Sequence, residues 1–320
     1  MYAVRCTLYV PHPLIAILGP TGSGKTDLAL CLAERFNGEI VNCDSVQIYR
    51  HFDIGTAKTP LEQRRGIPHH LIDMVEPGDV FTAGDYAALA RAVLAEIAAR
   101  NRVPVVAGGT GFYLRALFDG LFPGPRRDAA TRTQLAARER RRPGSLHRLL
   151  LRLDPKSAAR IHANDINKTI RALEVCLLAR QPLSKMFEQG RDRLQGFEIV
   201  KAGLNPPREA LYERLDRRFE RMIDAGLLDE VRRLLQSGVS PEAKPFESLG
   251  YKQALAVVRG ELSLEAAIAS AQMETRRYAK RQMTWFRSER DLTWFAGFGN
   301  DPSVQEQVCE SCIFKELRHI

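Results

Sequence analysis

The chain has 320 residues, 45% of them hydrophobic and 27% charged, with a net charge of +9. That is ample apolar material for a core, and the length fits one large domain or two smaller ones. No apolar run reaches the about eighteen residues of a membrane span, and the opening MYAVRCTLYVPHP lacks a signal-peptide core, so no membrane partner is expected and a cytoplasmic setting is.

PLIAILGPTGSGKTDLALCLAERFNG reads as strand, loop and helix. The apolar run Leu14 to Leu18 is short and bounded, as a buried parallel strand should be. EIVNCDS and HHLIDMV are two further short apolar runs. AGDYAALARAVLAEIAARN is an amphipathic helix, and the strand VPVVAGG follows it. This alternation predicts an α/β fold with a P-loop NTPase-like parallel sheet flanked by helices.

Near LFPGPRRD, Pro and Gly punctuate the chain and Arg-rich helical sequence begins. No strand signal returns until FEIVKAGL at 197–204, so 123–196 is expected to be an all-helical insertion. Residues 1–122 and 197–320 would then form the core domain, closing with four helical stretches. Gly226 and Gly238 are placed as helix C-caps. The CxxC of Cys309 and Cys312, with His319, falls short of a four-ligand zinc site and reads as incidental thiols in an unstructured tail.

The charge excess is local. Residues 121–200 carry 17 basic and 8 acidic groups, a net of +9, whereas 1–120 net −1 and 201–320 net +1. Such a block points to a polyanionic partner, or else to a solvated Arg-rich face.

Gly19, Gly24, Lys25 and Thr26 match GxxxxGK[ST]. Backbone N–H groups, the following helix N-terminus and the Lys25 ammonium suit a phosphate, and the Thr26 hydroxyl suits Mg2+. The motif does not say which phosphate compound binds. The second acid of a P-loop ATPase is missing, because VPVVAGG ends in Gly108, Gly109 and Thr110. Asp44 lies where a strand hands over to a loop, and on spacing alone it serves equally as a site carboxylate or a turn residue.

GPTGSGKT, VNCDSVQIYRHFDIGTAK, PHHLID and VVAGGTGFYLRAL, in that order, resemble the tRNA dimethylallyltransferase family in its bacterial form. RIHANDINKTIRALEV, LYERLDRRFERMIDAGLLDEV and SLGYKQAL…TRRYAKRQMTWFR carry the likeness over roughly 13–290. The resemblance implies that Gly19, Pro20, Thr21, Gly22, Ser23, Gly24, Lys25 and Thr26 hold the diphosphate of dimethylallyl diphosphate, with Mg2+ on Thr26. It implies transfer of the allyl group to N6 of adenosine 37, 3′ of the anticodon, in tRNAs reading codons that begin with U. Diphosphate leaves, and no phosphoryl group moves.

By the same resemblance Asp44 is the catalytic base, Thr110 its polar neighbour and Arg218 an arginine on the diphosphate, with Arg217 and Arg221 close by. The tRNA anticodon stem-loop would meet Asp44, Ser45, Val46, Gln47, Thr110, Arg132 and the run Lys168, Thr169, Ile170, Arg171 and Ala172. An amide such as Gln47 can read an adenine edge, the target base must leave its stack, and the basic insertion would grip stem phosphates. A monomer is expected. Arg276 with Lys280 and Arg277 with Arg281 are like charges four apart that an anionic partner would offset. Tyr278, Trp285 and Phe286 read as core.

Two positions depart from the family. Gly22 stands where Ala is frequent and is expected only to loosen the turn. Lys168 stands where Arg is frequent and keeps charge without the bidentate fork. Three alternatives remain on the residues alone: a P-loop small-molecule kinase, an RNA-binding ATPase, and an adenylate-type isopentenyltransferase that makes a cytokinin. The kinase and the adenylate-type enzyme do not explain a net +9 confined to one insertion, and the ATPase would need a metal-binding acid and a water-positioning residue that form no convincing pair here.

Overall fold

Leu14, Ile15, Ala16, Ile17 and Leu18 are all buried, because strand β1 (His12–Leu18) runs through the middle of a six-stranded sheet. A computed structural model describes residues 11–314. The chain continues through helix α1 (Lys25–Arg35), β2 (Gly38–Asn42), β3 (His69–His70), α2 (Ala83–Ala99), β4 (Val103–Ala107) and α3 (Gly111–Phe118). After the insertion come β5 (Phe197–Leu204), α9 (Arg208–Asp224), α10 (Leu227–Gln236), α11 (Tyr251–Val258), α12 (Leu264–Phe286), β6 (Leu292–Phe295) and α13 (Pro302–Phe314), helices α4–α8 lying within the insertion.

The sheet order is β3-β2-β4-β1-β5-β6 and every pairing is parallel. Apolar strands buried on both faces need helices to cover them, and the helices between the strands supply that cover. A capping box between Thr82 and Asp85 starts α2. Gly226 at φ +94 and Gly238 at φ +89 follow the last turns of α9 and α10, where a left-handed residue ends a helix.

Three elements differ from expectation. HHLIDMV contributes only two residues to the sheet, because Leu71 and Asp73 sit at φ +62 and +56 and turn the chain out of it. Strand β6 is an edge strand of four residues, too short to announce itself. The tail is not unstructured through its cysteines: α13 packs on α1, and Cys309 and Cys312 are buried in the core beside Cys31. His319 lies outside the described residues.

Residues Phe118–Arg193 form a separate compact unit of α4 (Ala129–Arg141), α5 (Ser145–Leu153), α6 (Pro155–Ala158), α7 (Ile166–Ala179) and α8 (Leu183–Glu188). Its core is Leu135, Leu146, Leu150, Ile170, Leu173 and Val175 with their neighbours. Its two ends meet at Gly120, where a Cβ would lie 2.0 Å from the Asp192 carbonyl oxygen. Among the described residues no helix is long and apolar enough to cross a membrane.

Candidate active site

Strands β1, β2 and β4 end side by side, and the loops that follow them build the site at the carboxyl edge of the sheet. The loop after β1 turns through Gly22 at φ +78 and Gly24 at φ +85, a region that L side chains rarely adopt. Gly22 therefore does more than loosen the turn. A Cβ there would also come within 2.7 Å of Leu215 Cδ2. No side chain caps α1, so its first N–H groups remain for an anion. Lys25 Nζ donates to the Gly19 and Pro20 carbonyls at 2.9 and 2.7 Å. Burial, then the charge of Arg218, lowers the Lys25 pKa to about 7 against the opposing pull of Asp44.

Asp44 follows β2. Its Oδ1 accepts N–H groups from Val46 at 2.8 Å and Gln47 at 3.2 Å, a local turn built by the side chain. Among the described residues no hydrogen bond reaches Oδ2, so the same carboxylate shapes its loop with one oxygen and presents the other. Thr110 Oγ1 accepts the Ser45 N–H at 3.2 Å. The loop after β4 lies directly on this segment: a Cβ at Gly108 would be 2.0 Å from the Cys43 carbonyl oxygen.

Two cavities open from these loops. One, of about 500 Å3, is lined by the phosphate loop with Lys25, Thr26, Gly108 and Gln47. The other, of about 460 Å3, has an apolar wall of Leu215, Phe219, Met222 and Leu249 and polar residues Ser45 and Glu274. Thr21, Asp44, Thr56, Arg218 and Tyr278 line both. The arrangement can hold an anion on one side of a carboxylate and a flat, partly apolar group on the other.

Residues 47–289 match the family model for IPP transferase. The tRNA dimethylallyltransferase of Solibacter usitatus is 62% identical over 298 residues, 93% of this chain and 97% of that protein. That of Koribacter versatilis is 53% identical over 292 residues, 91% of this chain and 95% of that one. The chain belongs to the IPP transferase family. The solved structure of the tRNA isopentenylpyrophosphate transferase from Bacillus halodurans superposes with a TM-score of 0.69 at 36% identity, over 97% of this chain and all of that one. A eukaryotic dimethylallyltransferase acting on tRNA does so with a TM-score of 0.81 at 29% identity, over 95% of this chain and 79% of that one.

Within this family member, the three neighbouring arginines of α9 divide by geometry. Arg218 Nη1 donates to Thr21 Oγ1 at 3.0 Å and faces both cavities. Arg217 is exposed and pairs with Glu213 at 3.1 Å. Arg221 lines the phosphate-loop cavity. Gln47 lies at the site, but its amide N–H group donates to the Thr56 carbonyl at 3.0 Å, so a two-pronged adenine contact would first have to release it. Tyr278 lines both cavities rather than the core, while Phe286 is fully buried as expected. Part of the anionic compensation expected along α12 is internal: Arg276 binds both oxygens of Asp216 at 2.6 and 2.7 Å.

In the helical unit the expected tRNA-contact residues do not share one role. Thr169, Ile170 and Ala172 are buried in that unit's own core, and Thr169 Oγ1 donates to the Asp165 carbonyl at 2.9 Å. Their side chains face that core, so any contact of the run 168–172 with tRNA would fall to Lys168, Arg171 and the backbone. Arg132 and Arg171 both pair with the fully buried Glu174, at 3.3 and 2.7 Å. Two guanidiniums on one carboxylate leave one charge uncompensated. Lys168 is exposed and pairs with Asp165 at 2.7 Å. Arg138, Arg140, Arg141 and Arg142, at the end of α4, are exposed and make no ion pair among the described residues.

Gln282 went unnoticed in the sequence. Its Oε1 accepts the Thr21 N–H and its Nε2 donates to the Gly109 carbonyl, each at 2.8 Å, so one buried amide ties the phosphate loop to the β4 loop. Its helical neighbours are charged and aromatic, and nothing in the spacing marks it. Gln282→Ala would strand one donor and one acceptor, a cost of about 1–3 kcal/mol. The expected result is a melting temperature lowered by several degrees together with a raised KM for the phosphate-bearing substrate. An unchanged melting curve would contradict it.

Proposed function

We propose that the chain transfers a dimethylallyl group from dimethylallyl diphosphate to N6 of adenosine 37, next to the anticodon of a tRNA. The observation that carries this reading is that Asp44 lines both cavities, with the phosphate loop on one side and the partly apolar wall on the other. The diphosphate lies against Lys25 and the loop N–H groups, and adenine enters the other cavity flipped from its stack. The N6–C1 bond forms as the C1–O bond to diphosphate breaks, and the N6 proton passes to the Asp44 carboxylate. Arg218 and Lys25 face the charge that develops on the leaving group.

Residues fit a magnesium ion of the kind held mainly by substrate. Among the described residues no three His, Cys, Asp or Glu side chains cluster, and the exposed Thr26 hydroxyl lines the phosphate cavity. Mg2+ keeps several waters and takes one or two protein ligands beside substrate phosphates. Bound there on Thr26, it supplies charge neutralisation to the departing diphosphate. The same reading takes the protein as a monomer working in the cytoplasm.

The helical unit is read as the anticodon-stem grip. With four free arginines in Arg138–Arg142, tRNA affinity is expected to fall by about a hundredfold between roughly 50 and 200 mM salt. A flat profile in a filter-binding titration would contradict an electrostatic grip. The function itself is tested by incubating the protein with Mg2+, unmodified tRNA and donor labelled in the allyl carbons, with AMP replacing tRNA in parallel tubes. Label in tRNA and not in AMP is expected. Label in AMP alone would assign the adenylate-type reaction instead.

A further inference from the structure

A turn near the end of the chain lies against the phosphate loop. Phe298 packs on the apolar patch of Leu211, Leu215 and Ala279. The Gly299 N–H donates to the Ser23 carbonyl at 2.8 Å, and Gln305 Nε2 donates to the Gly299 carbonyl at 2.8 Å. Gly24 makes the approach possible, since a Cβ there would stand 2.8 Å from Gly299 N and 2.9 Å from Asn300 N. This turn lies beyond residue 289, where the match to the family model ends.

The turn also grips Arg214. Asn300 Oδ1 accepts from Arg214 Nη1 at 2.6 Å, and the guanidinium sits 4.9 Å over the Phe298 ring. Arg214 lines the phosphate-loop cavity together with Lys25, Arg218 and Arg221. Among the described residues no carboxylate pairs with it, whereas Arg217 on the same helix has Glu213. An asparagine fixes direction and leaves the charge whole, which an aspartate would not. A guanidinium carries five N–H donors, so one neutral acceptor leaves most of the fork for an anion.

We infer that Arg214 is a further diphosphate-binding residue, aimed into the phosphate-loop cavity by Asn300 and Phe298 of the C-terminal turn. This rests on the reading that the cavity takes the donor's diphosphate. Arg214 touches the ligand, and Asn300 acts through it as a positioning residue. Near-parallel N–H groups on phosphate oxygens bind more strongly than a neutral contact, and Arg214 adds its guanidinium to those of Arg218 and Arg221 around the same cavity.

The test is the inhibition constant of inorganic diphosphate against the donor, at saturating tRNA and Mg2+, with the full chain. Arg214→Ala is expected to raise it by about tenfold, and Asn300→Ala by roughly threefold. The KM for tRNA should stay unchanged in both variants. The double variant should match Arg214→Ala alone, because Asn300 acts only through the arginine. A wild-type inhibition constant in Arg214→Ala, while Lys25→Met loses inhibition, would overturn this inference and leave the proposed function standing. Losses that multiply in the double variant would also overturn it, by making the turn a mere buttress of the loop. A wild-type protein that transfers no allyl group and is blind to diphosphate would overturn the proposed function itself.

Discussion

Asp44→Asn is expected to lower kcat by about 10²- to 10⁴-fold, the usual share of a positioned general base, while tRNA affinity changes little. The amide variant is the sharper probe because Asp44 has two tasks. Its Oδ1 holds the Val46 and Gln47 N–H groups, and an asparagine oxygen can keep doing so. Asp44→Ala removes both tasks and should add about 1 kcal/mol of lost stability. Neither Tyr278 nor Cys43 competes for the role. Burial, then the Asp44 charge, pushes Tyr278 up to about 12, and burial does the same to Cys43, so both stay protonated near neutrality. Stopped-flow turnover beside filter binding checks the prediction. Strong loss of tRNA binding with turnover unchanged would remove Asp44 from the base role.

Lys25→Met is expected to cost about 10²- to 10³-fold in kcat/KM for the donor, comparable to losing a principal donor to developing charge. The pH dependence carries the sharper signature. In the free protein Lys25 titrates at about 7, held down first by burial and then by Arg218. A bound diphosphate favours the ammonium, so the lysine's pKa rises in the complex. Above about pH 7 the free protein has released the proton that the complex needs, so binding takes up close to one proton. Donor affinity should then fall towards about tenfold per pH unit above 7, and Lys25→Met should abolish that slope. Calorimetry in buffers of different ionisation enthalpy reads the uptake directly. No uptake at pH 8 would contradict it.

Some of this was open to reading along the chain. The phosphate loop is a contiguous motif whose glycines and lysine work through their own backbone, so its spacing carries its geometry. Asp44 and Thr110 sit at strand ends, and strand ends are legible from short bounded apolar runs. What escaped depends on which helix face meets which loop. Period 3.6 places α12 as a helix, yet it does not reveal that Gln282 meets Thr21, 261 residues away, or that Tyr278 faces Asp44's cavities. Spacing could not separate Arg218 from Arg217 either, because rotation of α9 about its axis decides which one meets Thr21. Thr169, Ile170 and Ala172 look available within a basic run until packing buries them between α4 and α5. The last helix was missed because its cysteines and glutamates mask a weak amphipathic pattern.

On the proposed reading the phosphate loop holds an allylic diphosphate rather than a nucleotide, across Asp44 from an adenine. Phosphorus NMR of a transfer reaction, with unlabelled ATP added as a bystander, tests it most directly. Diphosphate should appear mole for mole with N6-modified adenosine in the digested tRNA, and the ATP resonances should stay constant. Orthophosphate growing from ATP in step with the modification would contradict the claim.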